Sequence, residues 1–237
     1  MFYSVASFLM KVVMSVVTRL EVSGLEHVPL KGPVLIAANH LHFADPPLLG
    51  AVIPRKIIFM AKSELFRIPV IGLLVLAYEA FEVHRGMGDA RALRRAIKVL
   101  RGGMALGVFP EGHRSKDGKL QRARNGIALI AYKTGATILP VAISGTRTFL
   151  QWPRILQRPR VIVTIAEPLH PPLIHSPSRE QQAELTEEVM RRIADCLPPD
   201  QQGAYELSEE ADQPAADQPA LASTVGQASQ PSDQSRP

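Results

Sequence analysis

The sequence has one cysteine, few aromatic residues and no apolar run long enough to pass unbroken through a membrane. The single cysteine, Cys196, excludes an internal disulfide framework and a metal site built from several cysteines, and it is typical of a protein that faces the cytosol. Aromatic residues make up only 5% of the chain, which argues against a surface that stacks nucleic-acid bases. Hydrophobic residues make up 46% of the 237 residues, so we expect one globular domain with extensions, or at most two small domains.

Charge is distributed unevenly along the chain. The formal net charge is +5, but the segment from Pro198 onward carries seven acidic residues against Arg236 alone, so residues 1–197 hold a net charge of +11. A basic folded region predicts an anionic partner, such as nucleic acid, a membrane surface or a phosphorylated substrate. The segment 198–237 is rich in Gln, Pro, Ala, Ser and Asp. Because this composition cannot form a core, we predict that the segment is a disordered tail.

The first twenty residues predict an amphipathic helix with an unusually wide apolar arc. Ser4, Lys11 and Thr18 recur at helical spacing on one narrow polar face, and apolar residues such as Phe8 and Val12 cover the remainder. Lys11 interrupts the apolar run midway, whereas a spanning helix needs about 20 largely apolar residues. Two interpretations remain open for residues 1–20: a membrane-interfacial helix that lies in the plane of the bilayer surface, or an ordinary helix packed on its own domain.

The segment 21–197 alternates between short apolar strands and helices. A typical strand is the apolar run 33–38, and a typical helix is the amphipathic segment 180–197. This alternation predicts an α/β domain with a largely parallel sheet flanked by helices. We predict that Pro140 breaks the strand 138–143. The nearly uncharged run 68–77 forms either a core helix or the wall of an apolar channel, and the core helix is the commoner of the two.

His40 and Asp45 form the first candidate pair of functional residues. His40 comes directly after the strand 33–38, and Asp45 is close enough in the chain for a curled loop to bring it back to the imidazole. A carboxylate in that place fixes the tautomer of the imidazole and favours its charged form. Taken alone, so short a pattern favours the simpler interpretation, in which Asp45 caps the next helix and His40 is a polar loop residue.

The loops after two further predicted strands also carry polar residues, namely Arg85, and then Glu111, Arg114 and Arg124. Because the carboxyl ends of parallel strands meet at one edge of a sheet, we expect these loops to converge on His40. A base surrounded by guanidinium groups suits acyl or phosphoryl chemistry on a phosphate-bearing substrate, since arginine matches phosphate geometry through paired donors. Gly112 allows its loop to approach a ligand closely.

Four short motifs occur in order along residues 22–146. They are Asn39-His40 through Asp45 with its His-x4-Asp spacing, Ala80-Phe81-Glu82-Val83-His84-Arg85-Gly86, Phe109-Pro110-Glu111-Gly112-His113-Arg114-Ser115, and Leu139-Pro140-Val141-Ala142-Ile143-Ser144-Gly145-Thr146. Together they resemble the motifs of the glycerolipid acyltransferases of the lysophosphatidate (1-acylglycerol-3-phosphate) acyltransferase type. Arg124 with Gly126 lies where that family often has a basic residue followed by glycine.

The resemblance implies direct acyl transfer without an acyl-enzyme, giving phosphatidic acid in phospholipid biosynthesis. It implies that His40 is the general base for the acceptor hydroxyl and that Asp45 orients the imidazole. The implied substrate-binding residues, chiefly for the phosphate of the acceptor, are Arg85, Glu111, Gly112, Arg114, Ser115 and Arg124. Acyl-CoA or acyl-carrier protein is the implied co-substrate, and no cofactor is implied. Glu82, His84 and His113 depart from the commonest family residues, which puts the identity of the acceptor in question more than the reaction type.

The implied partners are a lysophospholipid acceptor, the acyl donor and a membrane phospholipid surface, with no nucleic acid. The chain is then expected at the cytoplasmic face of a membrane, as a peripheral or monotopic protein. The histidines near His40 match no standard zinc spacing, so no metal site is expected. The alternatives are transfer to another lysolipid or to glycerol 3-phosphate, a phosphatase with His40 as nucleophile, and a phospholipid-binding module without catalysis, which does not explain a His–Asp pair beside arginines.

Overall fold

The computed structural model describes residues 2–83 and 90–206. Within them the strands are β1 (Arg19–Ser23), β2 (Val34–Ala38), β3 (Ile57–Lys62), β4 (Phe81–Val83), β5 (Ala105–Val108), β6 (Thr137–Ser144) and β7 (Arg160–Ile165). The helices are α1 (Phe2–Val17), α2 (Asp45–Val52), α3 (Pro69–Ala77), α4 (Ala90–Arg101), α5 (Gly126–Thr134), α6 (Arg179–Asp195) and α7 (Pro199–Gln202).

The seven strands of the described residues form one sheet in the order β1-β7-β6-β2-β5-β3-β4. All neighbouring strands are parallel except β6 and β7, which are antiparallel. The predicted α/β domain with a largely parallel sheet is therefore confirmed. β2 lies at the centre, and all five of its residues are buried, which is why it is a continuous apolar run in the sequence. We refer to the side of the sheet on which β2 and β5 end as its C-terminal edge.

Helices cover both faces of this sheet. Ile36 of β2 belongs to a buried cluster that contains Met14 of α1 and Leu48 of α2. The next residue, Ala37, belongs to a second cluster with Ala96 of α4 and further buried residues of α5 and α6. Because successive residues of a strand face opposite sides of a sheet, α1 and α2 form one layer, and α4, α5 and α6 form the other.

Pro140 does not break β6, contrary to the expectation from the sequence. The strand runs without interruption from Thr137 to Ser144. The antiparallel ladder with β7 begins only at Val141, and the Pro140 carbonyl accepts a hydrogen bond from Ala166 N at 3.0 Å. In a β-strand, the backbone N and the carbonyl of one residue point toward the same neighbouring strand. The nitrogen of Pro140 therefore faces the side of β7, and its missing N–H removes no hydrogen bond from the ladder between β6 and β2.

Helix α1 packs on the domain along one side and leaves apolar side chains exposed on the other. Met14 is fully buried, and the Tyr3 hydroxyl accepts a hydrogen bond from Ile57 N at 2.9 Å. The exposed residues are Phe2, Val5, Phe8, Leu9, Val12, Val13 and Val16. One compact unit extends from this helix to Glu206, so one side of α1 packs on the domain, as the second of the two interpretations of residues 1–20 expected. Over the described ranges, no helix combines the length and the apolar character needed to cross a membrane.

Helix α3 is not the core helix that its composition suggested. Leu73 and Leu76 are exposed, as is Ile68 immediately before the helix. α3 contacts α1, so two helices with exposed apolar residues are neighbours on one side of the molecule. Composition alone does not distinguish such a helix from a buried one, because both are uniformly apolar. Contiguous exposed apolar surface marks a site of interaction.

The described structure continues beyond Pro198, where the sequence predicted that a disordered tail begins. After α6, which starts at a capping box formed by Ser178 and Gln181, residues 199–205 form α7 and a turn of 3₁₀ helix. Gln201 O accepts a hydrogen bond from Leu120 N at 2.8 Å, and the Tyr205 hydroxyl accepts one from Ala123 N at 3.2 Å. These bonds attach residues 199–205 to the loop after β5. The polar composition of this segment predicted disorder because it does not reveal such bonds. The remainder of the predicted tail, residues 207–237, lies outside the described residues.

A protein that ends at Pro198 should therefore be less stable than one that ends at Glu206. The longer protein keeps the two hydrogen bonds from Leu120 and Ala123, and each such bond contributes roughly 1 kcal/mol. Because 1 kcal/mol corresponds to about 2–4 °C in Tm for a domain of this size, we expect the shorter protein to melt roughly 5 °C lower. Thermal unfolding followed by circular dichroism measures the difference. Equal melting temperatures would show that residues 199–205 contribute nothing to the fold.

Candidate active site

The His40 loop, residues 39–45, begins where β2 ends. Its first residue, Asn39, is buried and forms a two-sided clamp: its side-chain amide donates to Ile143 O at 2.8 Å, and its Oδ1 accepts from Ile143 N at 2.7 Å. The clamp joins the start of the loop to β6 and satisfies both the donor and the acceptor of the buried amide. Sequence reasoning quoted Asn39 only as part of a motif. Its position directly after a fully apolar strand was the available signal.

Asp45 holds His40 through a hydrogen bond of 2.8 Å between Oδ2 and Nδ1. The same oxygen accepts hydrogen bonds from Leu41 N and His42 N, both at 2.7 Å, and the aspartate is fully buried. Asp45 is the first residue of α2, and its carboxylate bonds to the loop before the helix rather than to a backbone N–H of the helix. The simpler interpretation of Asp45 as a helix cap is therefore wrong, and the predicted His–Asp contact is present.

This contact determines which nitrogen of His40 is available. Because Nδ1 faces a carboxylate, the neutral imidazole carries its proton on Nδ1 and its lone pair on Nε2. The ring stacks on Phe109, with centroids 4.1 Å apart, so its rotation is restricted. The aromatic ring comes from the residue after β5, which places the third motif directly against the histidine. A held imidazole with a free Nε2 can accept a proton from a hydroxyl group.

Glu111 joins the loops after β2 and β5. It is only 1% exposed, and its two carboxylate oxygens accept hydrogen bonds from His40 N at 2.7 Å and from Gln121 N at 3.0 Å. Burial raises the pKa of Glu111 to about 7, against the effect of those two backbone hydrogen bonds. The sequence analysis expected Glu111 to bind substrate. Its burial and its two occupied oxygens instead make it a positioning residue for His40.

Gly112 and Ser115 complete the turn that follows. Gly112 has a φ of 74°, which a residue with a side chain adopts only at a cost. Ser115 N donates to His40 O at 2.7 Å, and the Ser115 hydroxyl donates to Asp117 and accepts from Gly118 N. The hydroxyl is buried within its own turn, so it is not placed to bind substrate as the sequence analysis expected. It fixes the loop against His40.

Arg114 and Arg124 are exposed beside this turn. The Arg124 side chain lies against Gly112, where an added Cβ would come within 3.3 Å of its Nε, and Arg114 is close enough to His42 to lower its pKa. Among residues 2–83 and 90–206, neither guanidinium has an ion-pair partner. Both are therefore available to an anionic group near His40. Arg85, the third predicted phosphate ligand, lies outside the described residues.

His42 is a neighbour of the site that the sequence analysis did not assign. Burial is the main cause that lowers its pKa, with repulsion from Arg114 and His40 adding to the effect and attraction to Asp45 opposing it. His42 Nδ1 accepts a hydrogen bond from Ala44 N at 3.3 Å, which requires the neutral ring. Its side chain packs edge-on against Phe149, with centroids 5.2 Å apart. The ring thus links the His40 loop to the segment after β6.

Comparison with known proteins agrees with this geometry. The family model described as Acyltransferase matches residues 19–144, which include both His40 and the turn at Glu111. The chain belongs to the acyltransferase family. The matched region contains all but the last two residues of the four motifs on which the resemblance was based, and it ends at the last residue of β6.

Individual relatives support the assignment. The chain is 31% identical to the 1-acyl-sn-glycerol-3-phosphate acyltransferase of Bacillus subtilis, over 81% of this chain and 94% of that protein. It is 34% identical to the protein of the same name from Borreliella burgdorferi, over 55% of this chain and only about half, 53%, of that protein. The crystal structure of PlsC, the 1-acyl-sn-glycerophosphate acyltransferase of Thermotoga maritima, superimposes with a TM-score of 0.64 at 31% identity, covering 79% of this chain and 76% of that one.

The raised pKa of Glu111 predicts a specific dependence of stability on pH. Its pKa is about 7 in the folded protein against an ordinary value of 4.5, so folding disfavours the ionised carboxylate. Its contribution to the free energy of unfolding is fully favourable below about pH 4.5 and is lost as the pH rises through about 7. Glu111→Gln cannot titrate. The wild type should therefore lose roughly 2–3 kcal/mol relative to Glu111→Gln between about pH 5 and pH 8.

Urea unfolding of both proteins across this range measures the difference. The glutamine variant is expected to be less stable throughout, because its side chain can accept only one of the two backbone hydrogen bonds. The informative quantity is therefore how the difference in unfolding free energy between the two proteins changes with pH. The other titratable groups are the same in both proteins, so their contributions nearly cancel in this difference. Parallel curves would contradict the assignment of a raised pKa to Glu111.

Proposed function

We propose that this protein transfers a fatty acyl group from an acyl thioester to the free hydroxyl of 1-acylglycerol 3-phosphate, which gives phosphatidic acid. The observation that carries the proposal is the Asp45-held His40, whose Nε2 faces away from that carboxylate. The Arg114 and Arg124 side chains nearby have no ion-pair partner among residues 2–83 and 90–206. The names of the relatives, which share this reaction, support the same acceptor. Either acyl-CoA or acyl-carrier protein can supply the thioester.

The mechanism follows from the placement of the imidazole. His40 Nε2 removes the proton of the acceptor hydroxyl, and the hydroxyl oxygen attacks the thioester carbonyl carbon. The tetrahedral intermediate collapses with cleavage of the carbon–sulfur bond, and the imidazolium returns its proton to the departing thiolate. Asp45 stabilises the imidazolium between these two transfers. Glu111 and Ser115 bond to the backbone of His40, and the Asn39 side chain bonds to β6, so these residues position His40 without taking part in the proton transfer.

Arg114 and Arg124 bind the phosphate of the acceptor in this proposal. Their guanidinium groups lie on the turn that Ser115 N ties to His40 O, so a phosphate held there places the glycerol hydroxyl toward the imidazole. Paired N–H donors of arginine fit phosphate oxygens, and charge-assisted hydrogen bonds of this kind are stronger than neutral ones. Arg85 is a further proposed ligand on the grounds of its motif alone. Gly112 contributes the tight turn and the open space in which Arg124 lies.

We also propose that the protein binds the surface of a membrane at its cytoplasmic face, where acyl-CoA and acyl-carrier protein are supplied. The exposed apolar side of α1 and the neighbouring α3 supports this arrangement, since helices of this kind lie in the interface with their apolar side toward the acyl chains. Both earlier interpretations of residues 1–20 then apply at once: one side of α1 packs on the domain, and the other meets lipid.

The reaction is tested by supplying purified protein with labelled acyl-CoA or acyl-carrier protein and a panel of acceptors. Formation of labelled phosphatidic acid from lysophosphatidate, at a higher kcat/KM than product from lysophosphatidylcholine, lyso-ornithine lipid or glycerol 3-phosphate, supports the proposal. Release of inorganic phosphate without consumption of the thioester would show a phosphatase instead. Binding of lipid without formation of any product would indicate a phospholipid-binding module without catalysis.

Arg114→Ala should reduce kcat/KM for lysophosphatidate by roughly tenfold or more. One hydrogen bond to a charged group contributes about 1.5–3 kcal/mol, and about 1.4 kcal/mol corresponds to a factor of ten in rate. The loss should be much smaller for an uncharged monoacylglycerol. Arg114→Lys should recover only part of the rate, since lysine keeps the charge but not the planar pair of donors.

Arg122→Ala is the matched control for this measurement. Arg122 is exposed and lies in the same loop, and it is close to Tyr205, where it weakly opposes the rise in the pKa of the hydroxyl that burial causes. It should leave kcat/KM for lysophosphatidate near the wild-type value. If Arg114→Ala slows the charged and the uncharged acceptor by the same factor, Arg114 does not bind the phosphate.

A further inference from the structure

Four exposed apolar side chains lie on two segments that contact each other, one of which contains His40. They belong to the His40 loop and to the segment between β6 and β7, and we call them the apolar rim: Phe43 (50% exposed), Leu150 (44%), Trp152 (77%) and Leu156 (67%). Single exposed apolar residues are common on protein surfaces, but three within seven residues beside a fourth form a patch. Neither the proton transfer nor the phosphate contacts described above use any of them.

The segment that carries the rim is attached at both of its ends. Near its start, Phe149 is buried and packs edge-on against His42, with ring centroids 5.2 Å apart. His42 in turn contacts the Phe43 ring at 4.1 Å between centroids. The buried aromatic contact therefore brings Leu150 and Trp152 to the same part of the surface as Phe43.

At its other end the segment is attached to α1. Arg158 Nη2 donates hydrogen bonds to Ser15 O at 2.6 Å and to Thr18 O at 3.2 Å. These carbonyls lie at the C-terminal end of α1, next to the exposed Val16. The segment that carries the rim therefore ends beside the exposed apolar side of α1.

Strand directions place all of these parts at the C-terminal edge of the sheet. β6 is parallel to β2 and ends at this edge, and β7 is antiparallel to β6 and begins there. β1 is parallel to β7, so α1, which precedes β1, ends at the same edge. The end of α1, the rim and the His40 loop therefore follow one another along a single edge.

We propose that the apolar rim enters the interfacial layer of the bilayer and that the lipid acceptor passes across it from the membrane to His40. The inference rests on the proposed function, because that function supplies a lipid substrate. Indole rings favour the boundary between headgroups and acyl chains, where an apolar body and a polar N–H are both satisfied. Anchoring by α1 alone fixes the distance of the protein from the membrane, whereas the rim also orients the active site toward it.

A second protein copy is a poorer occupant of the same surface. Phe43 belongs to the His40 loop itself, so a protein partner that covered the rim would lie across the entrance used by the acceptor. A bilayer that meets the rim delivers the acceptor through that entrance. The acyl chain of the acceptor can then stay in an apolar environment while its hydroxyl reaches the imidazole.

Trp152 is the only tryptophan of the chain, so its fluorescence reports on the rim alone. We expect its emission to shift to shorter wavelength when the full-length protein binds vesicles of phosphatidylcholine and phosphatidylglycerol in equal parts. Brominated phosphatidylcholine, with bromine near the headgroup end of the acyl chain, should quench it strongly. Co-sedimentation of the same samples gives the bound fraction independently of any catalytic activity.

The matched control moves the tryptophan to the opposite edge. Leu173 is also exposed, at 56%, but it lies next to Gly135, just before β6 begins. The double variant Trp152→Phe/Leu173→Trp should bind vesicles as well as the wild type, with no shift and little quenching. Thermal unfolding confirms that each variant is folded.

Each result supports or overturns the proposal. If the wild type co-sediments but Trp152 is neither shifted nor quenched, the rim does not meet the bilayer, although membrane binding stands. If the wild type stays in the supernatant, both the rim proposal and the proposed membrane association fail. Equal quenching of Trp152 and of the tryptophan at position 173 would show non-specific adsorption and would also overturn it.

A single substitution separates the rim from a protein interface. Trp152→Ser should weaken vesicle binding by roughly tenfold, which is the effect expected for removing one buried large apolar side chain. The acyl-transfer rate should fall more for vesicle-borne lysophosphatidate than for a short-chain acceptor that is dissolved as monomers. Leu173→Ser should change neither quantity. If instead the wild type is a dimer by light scattering and Trp152→Ser makes it a monomer with unchanged vesicle binding, the rim is a contact between protein copies and the proposal is wrong.

Discussion

One carboxylate oxygen, Oδ2 of Asp45, organises the active site. It accepts hydrogen bonds from the His40 ring and from the backbone N–H groups of Leu41 and His42. The bonds curl the loop tightly enough to bring residues 40 and 45 together, and the same contact fixes which ring nitrogen faces the substrate. The hydrogen bonds that fold the loop therefore also orient the imidazole. Replacing this aspartate changes the local fold and the chemistry together.

The rest of the domain keeps that loop in place. β2 ends at the centre of the sheet, Asn39 clamps the start of the loop to β6, and Glu111 ties its backbone to the turn after β5. Both oxygens of Glu111, and the oxygen and the amide nitrogen of Asn39, bond to backbone groups, so these buried side chains have partners. The two arginines proposed for phosphate binding have no ion-pair partner in the part of the chain that the structure describes. The site thus separates a rigid, buried support from an exposed, charged surface.

Much of this arrangement could be predicted from the sequence, and the remainder could not for identifiable reasons. Alternation of apolar strands and helices predicted the parallel sheet. The spacing of His40 and Asp45 alone favoured a helix cap, and their contact was expected only from the resemblance of the four motifs to those of the acyltransferases. The role of Glu111 was missed because a glutamate beside arginines in a motif suggests a ligand, while its burial depends on two loops that are distant in sequence. For α3, composition favoured a core helix over the wall of an apolar channel, because composition does not reveal that the helix lies at the surface. The order of residues 199–205 was not predictable from their polarity, because they are attached by hydrogen bonds that backbone N–H groups of a distant loop donate to Gln201 O and the Tyr205 hydroxyl.

The residues proposed to meet the membrane and the residues proposed for catalysis lie along the same edge of the sheet, which connects the account of binding with the account of catalysis. Its central claim is that Nε2 of His40 is the base that activates the acceptor hydroxyl. The most direct test is the single-turnover rate of acyl transfer by His40→Ala, with Tm and vesicle binding measured on the same samples. Loss of a general base should reduce the rate by about 10²–10⁴-fold while Tm and vesicle binding stay close to those of the wild type. A folded His40→Ala protein that transfers acyl groups at the wild-type rate would contradict the account.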